Sequence, residues 1–150
     1  MSDLRKKLHD ACVNYVRKSM DAAELGIKEA QKASNEDTKS SAGDKYETGR
    51  AMMQQETDRN LTQLNEANKL MVALNRISAN GTSIKAEIGS VITTNNGSFY
   101  LAISAGIISV DGKNYFAVSP ASPIGVLLAG KAVGDSFSLN GKPYIIEAVN

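Results

Sequence analysis

Tryptophan is absent from this chain, cysteine and histidine occur once each, and proline occurs three times. Each scarcity excludes something. A lone Cys12 rules out an internal disulfide and fits a reducing compartment. With His9 as the only histidine, no Cys/His zinc cluster can be assembled. No Walker loop or G-x-G-x-x-G motif occurs, and no serine sits in a nucleophile-elbow context. Aromatic residues make up 5% of the chain, which argues against an aromatic-lined pocket. The longest apolar-leaning run, residues 99–110, is interrupted by Ser104, Gly106 and Ser109 and is too short to span a bilayer. The charged N-terminus, Met-Ser-Asp-Leu-Arg-Lys-Lys, has no apolar h-region behind it. A cytoplasmic location is the expectation. Neither sign of charge dominates: 17 basic and 16 acidic residues leave a net charge of +1, unlike a bulk nucleic-acid binder.

The charges that are present are unevenly placed. Residues 1–80 hold 13 bases and 12 acids, and residues 81–150 hold four of each. The first segment therefore reads as charge-laced and solvated, the second as compact and apolar. At 150 residues the chain accommodates at most two small domains. The composition shift divides them into 1–80 and 82–150.

The first segment carries helical periodicity. Val13, Val16, Met20, Ala23, Ile27 and Ala30 step by three and four, the spacing of a coiled-coil seam. Leu4, Leu8, Ala11, Tyr15, Ala22 and Leu25 add an adjacent apolar stripe. The pattern breaks over residues 35–43, rich in turn and cap formers. It resumes at Met53, Thr57, Asn60, Leu64, Ala67, Met71 and Leu74 and closes near Asn80-Gly81, a good C-cap pair. Two arms of about 33 residues that fold back antiparallel give a rod on the order of 50 Å long. Matched arms joined by a short turn favour pairing within one chain, so a monomer is expected.

The second segment reads as a four- to six-stranded, mostly antiparallel sheet on one short helix. Residues 84–91 are strand-like. Asn95-Asn-Gly97, Asp111-Gly112 and Asn140-Gly141 are turn signals between strand-like runs. Pro123 and Gly130 bracket a short apolar helix. The fold class is α+β.

Residues 35–51 form the tip of the expected rod. Asp44 and Glu47 are three residues apart at a helix start and can point the same way. The same pair also reads as an N-cap and a capping-box acid. The two readings coexist, because a cap leaves carboxylate lone pairs free.

One run carries a resemblance. Ser119-Pro-Ala-Ser-Pro-Ile-Gly-Val-Leu-Leu-Ala-Gly-Lys-Ala-Val-Gly-Asp135 is similar to the C-terminal domain signature of the bacterial transcript cleavage factors GreA and GreB. Gly43-Asp-Lys-Tyr-Glu47 lines up with the Gly-Asp-x-x-Glu tip of that family. The resemblance implies an N-terminal helical hairpin and a C-terminal domain with a fold like that of FKBP prolyl isomerases. It implies an accessory elongation factor, not itself an enzyme, that binds RNA polymerase and places its tip in the secondary channel. There Asp44 and Glu47 would help hold Mg²⁺ of the polymerase active site, Tyr46 and Thr48 would support them, and the polymerase would cut backtracked RNA, whose 3′ end the factor could also touch. The chain would bring no cofactor of its own. Ser119, Pro120, Ser122 and Pro123 would contribute to docking. Two other functions compete. One is a secondary-channel binder that modulates or inhibits polymerase without cleavage. The other, from a different class, is a peptidyl-prolyl isomerase or chaperone-like domain.

Overall fold

The computed structural model describes the backbone of residues 2–40, 44–78 and 83–150, and the side chains of residues 4–33, 51, 52, 54–78 and 83–150. The chain is α+β. Two long helices, α1 (Ser2–Ser40) and α2 (Asp44–Asn75), precede strands β1 (Val91–Thr94), β2 (Gly97–Leu101), β3 (Gly106–Val110) and β4 (Lys113–Val118). A short helix α3 (Pro123–Leu128) and strands β5 (Ser136–Leu139) and β6 (Lys142–Val149) complete it. Contacts divide the chain into two compact units. One comprises Met1–Tyr15 with Met71–Asn150, the other Val16–Leu70.

Within Val16–Leu70 the buried positions keep helical spacing. Val16, Ala23 and Ala30 of α1 and Ala67 of α2 are buried. Thr57, Asn60 and Leu64 are half-buried, while most positions between them are exposed. The expected second stripe of α1 does not hold throughout: Tyr15 and Leu25 are 47% and 57% exposed. A helix buries only the arc facing its partner, so a wider apolar face leaves flanking residues in solvent. Gln63 Nε2 donates to Ser19 Oγ at 3.3 Å. A methyl group on Gly26 would lie 2.6 Å from Asn60 Nδ2, so the missing side chain makes room for that amide.

Both helix ends differ from the reading of the sequence. The backbone of α1 continues through residues 35–40, where apolar periodicity has stopped. Those residues include no proline or glycine, and polar residues cost little individually in a helix already propagating. α2 stops at Asn75 rather than near Gly81. Arg76 N and Ile77 N turn back to Ala73 O and Leu74 O at 3.2 and 3.0 Å, tightening the last turn. His9 Nε2–H donates to Leu74 O at 2.8 Å, supplying a partner to a terminal carbonyl.

In the other unit, six strands lie in the order β3-β4-β2-β1-β6-β5. All neighbours are antiparallel except β2 and β4, which run parallel in the register Phe99↔Phe116 to Leu101↔Val118. The Asp111-Gly112 and Asn140-Gly141 turns both carry two positive φ angles, 52° and 79° in the first, 53° and 78° in the second. That is the type I′ geometry that joins twisted antiparallel strands tightly. Residues 84–90 do not form the expected strand, which begins at Val91. Ala86 instead exchanges two backbone hydrogen bonds with residues 130 and 131, at 2.8 and 2.7 Å.

Side-chain alternation gives the sheet two buried faces. Ile92, Phe99, Leu101 and Ile146 pack with Leu128 of α3 and Ala86. Val91 and Tyr100, paired across β1 and β2, turn the other way. On that side the first turns of α1 bury Arg5, Leu8 and Cys12. No helix among the described residues is long and apolar enough to cross a membrane.

Candidate functional site

α2 begins at Asp44. The side chains of Asp44, Tyr46, Glu47 and Thr48 lie outside the described residues.

The serine-proline run is described fully, and its local architecture is built by hydrogen bonds. Ser122 N-caps α3: its Oγ accepts from Gly125 N at 3.1 Å and donates to Ser119 O at 2.6 Å. Pro123 occupies the first turn, where its missing N–H leaves no helical bond unmade. Pro120 and Pro123 are exposed, and Ser119 and Ser122 are half-buried. Gly125 is dictated by proximity, because a Cβ there would lie 2.0 Å from Ser119 O. That neighbour is backbone and cannot rotate away. Gly125→Ala should therefore destabilise the chain by about 2 kcal/mol, the order expected of overpacking, measured as a lower midpoint of urea unfolding. Unchanged stability would show that the 119–125 loop is free to move.

The end of the run is also tied down. Asp135 Oδ2 accepts from Ala132 N at 2.8 Å, and Ile146 N donates to Asp135 O at 2.8 Å. The turn at residues 130–135 is thereby fastened to β6. Ser122, Gly125 and Asp135 thus each have a structural task, while Pro120 and Pro123 present a rigid exposed surface.

Composition concealed a second feature. Aromatic residues are few, yet four of them form a chain. Phe137 stacks on Tyr144 with centroids 4.9 Å apart and planes 10° apart. Tyr144 meets Phe99 edge-on at 6.1 Å, and Phe99 meets Phe116 at 5.6 Å. Phe116 remains 40% exposed, beside the more exposed Ile107 opposite it on β3. Lys142 Nζ stands 6.0 Å from the centre of the Tyr144 ring. Phe137, Pro143 and Tyr144 also line an open groove of about 560 Å³ at the β5–β6 hairpin. The signal available in the sequence was alternation: Phe99, Phe116, Phe137 and Tyr144 occupy strand positions, but only the pairing of β2 with β4 brings the first two together.

Cys12 is the remaining chemically distinctive side chain. Burial pushes its thiol from 9.0 up to about 12, so it is a neutral, unreactive group at physiological pH. Burial also raises Tyr100. For Cys12 the folded state holds the proton more tightly than the unfolded state. Its contribution to stability is complete below 9.0 and is lost as pH rises from there towards about 12. Urea unfolding of the wild type should show this loss, and Cys12→Ala should make it shallower, leaving the part that Tyr100 contributes above 10.0. Equal pH slopes in the two proteins would refute the assignment. No group of three or more His, Cys, Asp or Glu side chains among the described residues is placed to hold a metal ion.

Compared with known protein families, curated proteins and solved structures, the chain finds no match.

Proposed function

We propose that this chain is an accessory factor of RNA polymerase that stimulates cleavage of backtracked RNA. The reading rests on residues 119–135, whose order of serine-proline pair, short helix, Gly-Lys and Val-Gly-Asp resembles the Gre signature. It is supported by α1 and α2, whose paired positions, Ser19 with Gln63 and Gly26 with Asn60, suit a helical hairpin. In this reading residues 82–150 form an FKBP-like domain that docks on the polymerase, and the tip at residues 35–51 enters the secondary channel. Asp44 and Glu47 supply hard oxygen donors of the kind Mg²⁺ prefers. The chemical step belongs to the polymerase, where a second cation stabilises both the attacking and the leaving oxygen. The test is an RNA cleavage assay on stalled, backtracked elongation complexes, with and without the full chain. Shortened RNA with a new 3′ end is expected. Slower transcription with no cleaved RNA would replace this reading with that of a non-cleaving channel binder.

The aromatic chain from Phe137 to Phe116 favours a second reading, as a peptidyl-prolyl isomerase or chaperone-like domain. A low aromatic fraction is no obstacle when four aromatic side chains share one neighbourhood. A protease-coupled assay on a proline tetrapeptide tests it. Activity lost on Phe116→Ala would support it, and no acceleration above the uncatalysed rate would dismiss it.

A further inference from the structure

The dipeptide Asn-Gly occurs three times, at 80–81, 96–97 and 140–141. The first lies outside the described residues, and the other two sit in different settings. Asparagine is a labile residue, most of all before glycine, whose backbone nitrogen has no side chain to shield it. That nitrogen attacks the asparagine amide carbon from within the chain. Attacker and target belong to neighbouring residues, so the fold decides only whether both are free to meet.

Asn96 is held on both sides. Its Nδ2 donates to Pro143 O, and its backbone N donates to Thr94 Oγ1 at 3.1 Å. Gly97 belongs to β2 and is paired with Thr94 of β1. A Cβ on Gly97 would stand 3.3 Å from the Phe116 ring, so little room is left there. Asn140 differs at each point. It is exposed, and its side chain makes no hydrogen bond among the described residues. Asn140 and Gly141 are the two central residues of the I′ turn, outside the β5–β6 ladder that ends at Leu139↔Lys142. A Cβ on Gly141 would meet nothing within 4 Å.

We propose that Asn140 is a site of spontaneous deamidation and that the fold protects Asn96. Gly141 N bonds to Asn140 Cγ, the Cγ–Nδ2 bond breaks, and the amide nitrogen leaves as ammonia with the proton from Gly141 N. Water then opens the cyclic imide at either of its two carbonyls. One opening leaves aspartate, which tolerates this turn, as Asp111 does at φ 52° in the equivalent one. The other leaves isoaspartate and adds a methylene to the backbone. A two-residue turn cannot absorb that and keep Leu139 opposite Lys142. The stacked pair Phe137 and Tyr144 lies two ladder positions further in, so the groove at this hairpin is altered with it.

Ageing the full chain in mildly alkaline buffer, followed by trypsin and mass spectrometry, tests this. Asn140 falls in peptide 132–150, because Pro143 blocks cleavage after Lys142, and Asn96 falls in peptide 86–113. The amide-to-acid mass shift should appear on the order of tenfold faster in 132–150, the effect of one hydrogen bond holding the Asn96 amide. In guanidinium chloride the two rates should converge. Asn140→Gly, which suits an I′ turn, should remove the shift from 132–150. An unchanged peptide 132–150 from the folded chain, equal rates in the folded chain, or a shift that survives Asn140→Gly would each overturn the proposal.

Discussion

On the proposed function, Asp44→Asn should lose roughly a hundredfold of RNA cleavage stimulation while binding polymerase nearly as tightly as the wild type, because a misplacement of about 1 Å at a reacting centre costs on that order. The substitution is chosen to separate the two tasks open to this carboxylate. Asn caps a helix about as well as Asp, so a loss of activity cannot be blamed on the start of α2. It is a weaker ligand for Mg²⁺, which prefers charged oxygen donors. Raising Mg²⁺ should therefore restore part of the activity. Glu47→Ala should lose activity to a similar degree, since its carboxylate is removed entirely. Binding is read by competition for core polymerase, and cleavage by the appearance of shortened RNA. Wild-type cleavage by Asp44→Asn would reduce that residue to a cap.

Leu128→Ala should cost about 3 kcal/mol, the middle of the range for truncating a fully buried leucine. Leu128 is the residue of α3 whose side chain is entirely withdrawn from solvent, packed among Ile92, Phe99, Leu101 and Ile146. A domain with about 5–15 kcal/mol of total stability feels such a loss strongly. Val126→Ala is the control. It lies two positions away on the same helix and is 62% exposed, so its removal should change stability by no more than about 0.5 kcal/mol. Equal effects of the two substitutions in urea unfolding would mean that α3 is not held to the sheet by Leu128.

Local signals carried much of the architecture. Seam spacing identified the buried arc of α2, because every position from Thr57 to Leu74 in that series is at least half-buried. Asp111-Gly112 and Asn140-Gly141 became I′ turns because only such residues adopt two positive φ angles in succession cheaply. Pro123 and Gly130 bracketed α3 through chemistry confined to one helical turn at each end. Signals of this kind act within a few residues and survive whatever the rest of the chain does.

Other features depend on partners distant in sequence. Cys12 stands one helical turn from both Leu8 and Val16, but no apolar pattern marks Arg5 as core. They are buried because the first turns of α1 cover the face of β2 that carries Tyr100, some 90 residues further on. Residues 84–90 have strand-like composition but form no strand: Ala86 is engaged by residues 130 and 131, and Gly89 and Ser90 meet β2 only at its end, through Leu101. The parallel pairing of β2 with β4 decides that Phe99 meets Phe116, and so creates the aromatic chain. The sequence by itself determined where helices, turns and caps begin, since those depend on φ preferences and neighbouring hydrogen bonds. Only the tertiary structure decided which side chains meet and which charges are buried. Burial and strand register arise from contacts across the whole chain, and no local run of residues encodes them.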